Sequence, residues 1–159
     1  MPGSSSNPSP TASTSAKSGA SAAEAAARAA VESQWIKSWD VYMEIARTPA
    51  VARKALVETV AIDPARANML KDAGKFDSQG VETYGELGHR VSWPQPIAGR
   101  AYAVVDDCQD RSHSGSQKTG TGVKVTVGVA RDHYQGRLVK GEDAVWRVEQ
   151  VFYLKDEPC

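Results

Sequence analysis

The chain holds only two cysteines, Cys108 and Cys159, has no surplus of either charge, and nowhere runs through about 18 consecutive apolar residues. Each scarcity excludes something. Without a long apolar run there is no transmembrane helix, and no apolar core follows a basic start, so no export signal is visible. Lys plus Arg and Asp plus Glu stand at 19 each. A chain with no net charge and no basic stripe is not built to neutralise phosphates, which argues against nucleic acid as the main partner. Two thiols are too few for a disulfide scaffold. They are either one bond, implying an oxidising compartment, or two independent buried thiols.

What is present is a chain of 159 residues with 41% hydrophobic content, enough for one domain with a real core. Residues 1–20 are Ser, Pro, Thr, Gly and Ala with almost nothing large, so a flexible tether, or a frayed terminus, is expected there. The domain is expected over 21–159. Ser21-Ala22-Ala23-Glu24 reads as a capping box opening a helix to about Ala46. Val31, Trp35, Trp39, Tyr42 and Ala46 share one face of it, either as core or as a surface on which a ligand stacks. Thr48-Pro49 and Asp63-Pro64 read as starts of two more helices. The second would bury Val51, Leu56 and Val60, and the third would stop at Gly74.

From Gly80 the hydrophobic period falls to two, the mark of a strand with one buried face. Val81, Thr83, Leu87, His89, Val91 and Trp93 share one parity, until Pro94-Gln95-Pro96 ends the strand. Arg100–Cys108 is the second expected strand. Arg111–Gly122 reads as a mobile connection, Val123–Arg131 as a third strand with its valines buried, the polar stretch after it as a hairpin, and Trp146–Leu154 as a fourth strand. On the last, Trp146, Val148, Gln150, Phe152 and Leu154 would share a face. The fold class is therefore α+β, with N-terminal helices packed on a curved four-stranded antiparallel meander. In a meander, alternate strands end at the same rim, which places Cys108 and Cys159 together.

With this order of elements, the chain resembles the nuclear transport factor 2-like, or cystatin-like, cone. More narrowly it resembles the secreted proteins and lipoproteins of actinobacteria and their phages that carry that cone. The residues that carry the likeness are the Trp35/Trp39 helix, Tyr102–Asp110 with its Asp-Cys-x-Asp, the Val123–Arg131 strand, and Trp146-Arg147-Val148 before a terminal Cys. The resemblance covers about Ala29 to Cys159. It implies a Cys108–Cys159 bond and an extracytoplasmic, envelope-associated location. It also implies a tether behind an acylated cysteine, and, within that group, a lipoprotein that blocks superinfection. No lipobox or N-terminal Cys is present. The expectation is that a leader with its lipid-bearing Cys has been removed and that Met-Pro-Gly is a replacement start.

The resulting functional expectation is a non-catalytic binding domain acting on an envelope protein or a small apolar ligand, as a monomer or homodimer. It would need no cofactor and touch the membrane only through such an anchor. Trp35, Trp39, Tyr42, His89, Trp93 and Gln150 are the candidate pocket lining. The alternative is a small dehydratase- or isomerase-like enzyme using His89 with a pocket Asp or Tyr, such as Asp40 or Tyr42. No catalytic residue is assigned. No metal site is assigned either: Asp106, Asp107 and Asp110 lack calcium-loop spacing and read as a solvated rim, and His113 and His133 make no zinc spacing with the cysteines. Lys118-Thr119 after Gly115 lacks the glycine and the following helix of a phosphate loop.

Overall fold

A computed structural model describes residues 13–159. Three helices come first: α1 (Ser13–Glu44), α2 (Ala50–Glu58) and α3 (Ala65–Gln79). Six strands follow: β1 (Val81–Tyr84), β2 (Val91–Ser92), β3 (Tyr102–Gln109), β4 (Gly115–Lys118), β5 (Asp132–Lys140) and β6 (Trp146–Tyr153). Two antiparallel sheets result, a four-stranded one in the order β2-β3-β5-β6 and a two-stranded ribbon of β1 and β4. The fold class is the α+β class expected, with helices packed on a bent four-stranded wall. Of the expected tether, residues 1–12 lie outside the described residues, and α1 begins at Ser13, inside the remainder.

Several local expectations are corrected by tertiary contacts. Glu24 does not close a capping box with Ser21. Its carboxylate accepts the backbone N–H groups of Ile97 and Ala98 (2.8–3.2 Å) and the Arg28 guanidinium, tying α1 to the loop before β3. Thr48 does not cap α2; its hydroxyl donates back to the Glu44 carbonyl. Val51 is 96% exposed, and α2 buries Arg53, Val57 and, just past its end, Val60. Arg53 grips Asp77 with two guanidinium nitrogens (2.6 and 2.9 Å), fixing α3 against α2. Helix α3 runs through Gly74 and stops at Gly80, whose left-handed φ of 62° supplies the turn out.

The long strand expected over 81–93 is two short ones serving different sheets. The third strand of the wall is Asp132–Lys140, read in the sequence as hairpin; Val123–Arg131 lies outside it, bonded to the chain from Arg111 to Lys118, and its four valines are 51–61% exposed, not buried. The connection read as mobile contains β4, which pairs with β1 from Val81↔Lys118 to Tyr84↔Gly115.

The core lies between α1 and the wall. Val31 and Trp35 from α1 and Ile45 just past its end meet Ala103 and Val105 of β3, Leu138 of β5 and Val148 of β6, all fully buried. The chain between α2 and α3 closes the outer edge of β6: Val148 N–H donates to the Val60 carbonyl (2.8 Å), and Ile62 N–H donates to that of Val148 (2.9 Å). Trp35 packs closely on the wall because β5 has glycine at that point. A Cβ at Gly136 would meet the indole at 2.2 Å. The ring cannot retreat, since its Nε1 donates to Asp107 Oδ2 at 2.8 Å. Gly136→Ala is therefore expected to destabilise the fold by about 1–3 kcal/mol through overpacking. Urea denaturation measures this, and an unchanged midpoint would show that Trp35 has room to move.

Cys108 and Cys159 are bonded, with Cα atoms 5.6 Å apart. The rim geometry holds although the third strand is a different segment, because β3 and β6 remain separated by the same number of chain reversals.

Candidate functional site

One register irregularity decides which side chains enter the cleft between α1, α3 and the wall. β5 and β6 pair Arg137 with Gln150 but Leu138 with Val148, leaving Glu149 as an extra residue. A single bulged residue reverses the facing of everything beyond it. Trp146 and Val148 face the helices before the bulge; Val151 and Tyr153 do so after it. Gln150 and Phe152 thus belong to the opposite face, correcting the unbroken alternation read from sequence.

The cleft has a volume of about 370 Å³. Helix α1 supplies Ser38, Trp39 and Tyr42, and α3 supplies Ala65, Asn68, Met69 and Asp72 with Lys71 and Lys75, all at helical spacing. The wall supplies Tyr134, Val148, Val151 and Tyr153, and the chain after β3 supplies Arg111. The aromatic rings form one connected surface. Trp39 packs edge-on to Tyr42 (5.7 Å between centroids) and to Tyr134 (4.9 Å), and Tyr134 stacks on Tyr153 (5.0 Å, 27°). The Arg111 guanidinium sits 5.4 Å from the Trp39 ring centre and 5.5 Å from that of Tyr134. Its Nη1 donates to Gln109 Oε1 (3.2 Å) and Tyr134 Oη (3.3 Å).

The hydroxyls stay protonated. Burial, reinforced by the Asp72 carboxylate, pushes the Tyr42 phenol up to about 12. Burial raises Tyr134 as well, and the bond from Tyr153 Oη to Asp132 Oδ1 (3.1 Å) raises Tyr153. Asp72 is occupied by Lys75 Nζ (2.8 Å) and by the Tyr42 hydroxyl (3.4 Å). Trp39 Nε1 is buried and has no acceptor among the described residues. The lining thus carries three cations, Lys71, Lys75 and Arg111, around an apolar and aromatic floor; Asp72 pairs with Lys75, and Asp132 Oδ2 lies 3.7 Å from Arg111 Nε.

Of the six residues proposed from sequence, Trp39 and Tyr42 line this cleft and the other four do not. Trp35 is fully buried under the wall. Trp93 is half-buried, with the Arg28 guanidinium 5.6 Å above its ring. Gln150 faces away through the bulge. His89 does meet a carboxylate, its Nδ1 lying 2.7 Å from Asp107 Oδ2, yet neither residue lines the cleft. Asp40 is exposed and borders a separate hollow with Glu44, Arg47 and Glu86.

Asp107 corrects the solvated-rim reading, for it is 0% exposed. Oδ2 accepts from Trp35 Nε1, His89 Nδ1 and Gln109 Nε2 (2.9 Å), and Oδ1 accepts the Arg90 backbone N–H (3.0 Å). Burial pushes this carboxyl up, but the bonds from His89, Gln109 and Trp35 outweigh it and hold it below the usual range. Among the described residues no three His, Cys, Asp or Glu side chains converge on a possible metal position.

Arg111, Tyr134, Tyr153 and the α3 face went unread. Tyr134 lies in the segment that reads as a hairpin, and Tyr153 on the parity that the bulge reverses. The α3 face had a signal: Ala65, Met69, Asp72 and Phe76 fall at helical spacing once the helix is allowed past Gly74.

No family model matches the chain, and no curated protein matches it. Solved structures do align with it. The intermembrane space region of chloroplast protein ARC6 is 12% identical, with 80% of this chain and 95% of that chain covered and a TM-score of 0.47. A protein from Catenulispora acidiphila is 11% identical over 82% and 93%, with a TM-score of 0.48. A ketosteroid isomerase-like protein from Erwinia carotovora atroseptica is 16% identical over 77% and 91%, at 0.44. At such identities and TM-scores these are distant likenesses, and the chemistry of the cleft has to be read from its own residues.

Proposed function

We propose that the chain is a non-catalytic binding domain working outside the cytoplasm. Its aromatic cleft would take a small ligand with an apolar body and an anionic head. The observation that carries the reading is Arg111 held over the adjoining Trp39 and Tyr134 rings at the wall of an apolar cleft. A guanidinium so placed supports a carboxylate or similar group while the rings and Met69, Val148 and Val151 cover the rest of the ligand. A volume of about 370 Å³ suits a ligand of that kind. The location outside the cytoplasm is supported by the Cys108–Cys159 bond, since disulfides persist in oxidising compartments. A lipid-tethered form acting on an envelope protein, including superinfection exclusion, is the finer version of this reading. It rests on the sequence resemblance around Cys108 and the terminal Cys.

Titration of tryptophan fluorescence with decanoate and with decanol tests the cleft. Decanoate is expected to bind at least about tenfold more tightly than decanol, a charge-assisted bond being worth about 1.5–3 kcal/mol. Arg111→Met should abolish that preference while leaving decanol binding unchanged. Equal affinities for the two ligands, or no saturation with either, would sink the reading.

The dehydratase- or isomerase-like alternative has the His89–Asp107 pair in its favour, an imidazole oriented by a carboxylate as a general base would be. Against it, the same carboxylate is shared with Trp35 and Gln109 under the wall, away from the cleft.

A further inference from the structure

The four-stranded wall has two outer edges. At one, β2 is only Val91–Ser92, and Pro94 and Pro96 follow at once, so that edge offers no length for another strand. At the other, the chain at Val60–Ile62 closes β6 as far as Val148 and no farther. Beyond the bulge the edge is open. Leu154 N–H donates inward to the His133 carbonyl, so the alternation of an antiparallel pair turns the N–H and C=O groups of Val151 and Tyr153 outward. Among the described residues no backbone group pairs with them there. Val151, Phe152 and Tyr153 are 43%, 45% and 53% exposed, and Gln150–Leu154 holds no charge or proline to discourage pairing. The exposed side chains fall on both faces, Val151 and Tyr153 at the cleft and Phe152 opposite. A body resting on one face would leave the other wet, whereas a strand along the edge covers both.

We propose that the open edge of β6 takes an extended segment of a partner protein as a further antiparallel strand, acidic on its cleft side and apolar on the other. Directly paired residues share a face. Those beside Val151 and Tyr153 therefore look into the mouth of the cleft, and the one between them packs on Phe152. The acidic character follows from α3. Its Asp77 side faces α2, where Arg53 grips it, and Asn68, Lys71 and Lys75 lie on the opposite side, lining the same cleft as Val151 and Tyr153. Lys75 is matched by Asp72 at 2.8 Å, but among the described residues Lys71 has no carboxylate within ion-pair distance. A second copy pairing through the same edge would bring its own uncharged Val151 and Tyr153 to that position and leave Lys71 unmatched. An acidic strand supplies the missing charge, while its backbone bonds to Val151 and Tyr153 supply sequence-independent affinity.

Calorimetric titration of the full chain with the peptide acetyl-Thr-Glu-Val-Glu-Val-Glu-Thr-amide tests this, with hydrogen exchange read at residues 150–154. Saturation at millimolar peptide or below is expected, with protection appearing at the Val151 and Tyr153 amides. Replacing the three glutamates with lysines should weaken binding at least about threefold at low salt, and Lys71→Glu should remove that preference. Methylating the backbone nitrogens of the glutamates should abolish binding, because those groups face β6, whereas methylating those of the valines should weaken it far less. The peptide variants leave the protein untouched, so a misfolded Lys71→Glu chain would not blunt the test. No saturation at millimolar peptide overturns the proposal. So do protection away from 150–154, equal affinities for the glutamate and lysine peptides, or equal losses from the two methylations. Protection of 150–154 that grows with the chain's own concentration would assign the edge to a second copy and overturn it too. No small ligand enters the experiment, so its failure leaves the decanoate reading standing.

Discussion

Asp107→Ala is expected to destabilise the domain by about 4 kcal/mol, because removing the acceptor of a buried charged network leaves its donors unmatched. The Trp35, His89, Gln109 and Arg90 groups all aim at this carboxylate, which is 0% exposed, so water cannot replace it without opening the wall. Asparagine should not rescue fully. Three donors converge on Oδ2 alone, and an amide must turn either its own N–H₂ group or its single oxygen toward them. His89→Asn removes one donor of the four and is expected to cost less, about 1–2 kcal/mol. Urea denaturation with m-values checked for two-state behaviour reads all three. A loss below about 1 kcal/mol for Asp107→Ala would show that the wall relaxes around the hole.

The same network fixes a pH dependence. A carboxyl held below its unfolded value of about 3.9 contributes stability that is complete above that value and lost as pH falls through the lower folded one. Wild-type stability should therefore decline below about pH 4 more steeply than that of Asp107→Asn, which has no such proton to take up. Parallel acid titrations followed by far-ultraviolet dichroism show whether the curves converge at low pH.

The parts of the fold legible in the sequence were those where local pattern and tertiary demand agree. Trp146-Arg147-Val148 alternates and lies in a strand; Val31, Trp35 and Trp39 fall on one helical face and are buried there. The parts that misread were decided by partners far along the chain. Val123–Val129 alternates as a buried strand would, but its valines are exposed, because the segment pairs with the chain from Arg111 to Lys118 outside the wall, and nothing in it announces that partner. Asp132–Lys140 hides its strand character because its inward positions include Tyr134 and Gly136, and the glycine is there for Trp35, about 100 residues earlier in the chain. Asp107 looked solvated beside Asp106 and Asp110, though alternation along β3 puts it with Ala103 and Val105 on the buried face. Val151 and Tyr153 of the cleft wall were illegible for a single reason: Glu149 is an extra residue in β6, and nothing in Glu149-Gln150 announces a bulge.

Breaking the Cys108–Cys159 bond is expected to lower stability by about 4 kcal/mol, the chain-entropy value for a closed loop of this length. The two cysteines are 51 residues apart, and the cross-link removes the conformations in which that loop is open from the unfolded chain. The full effect requires that the native tail stay in place without the bond. Three contacts favour this: Leu154 N–H donates to the His133 carbonyl (2.9 Å), Glu157 N–H to that of Leu154 (3.1 Å), and His133 Nδ1 lies 2.9 Å from the Glu157 carbonyl. If they hold, the Cys108→Ser/Cys159→Ser variant should melt about 8–16 °C lower, at 2–4 °C per kcal/mol for a chain of this size. If instead only residues 155–159 fray, the melting temperature should fall by no more than a few degrees and exchange should rise in the tail alone. The larger outcome bears on location. Domains typically have 5–15 kcal/mol to spare, so a loss near 4 would leave the reduced chain with too little margin to compete with proteolysis and aggregation. The domain would then depend on an oxidising compartment for its lifetime, whereas a fraying tail would leave the bond dispensable and remove the main support for placing it outside the cytoplasm.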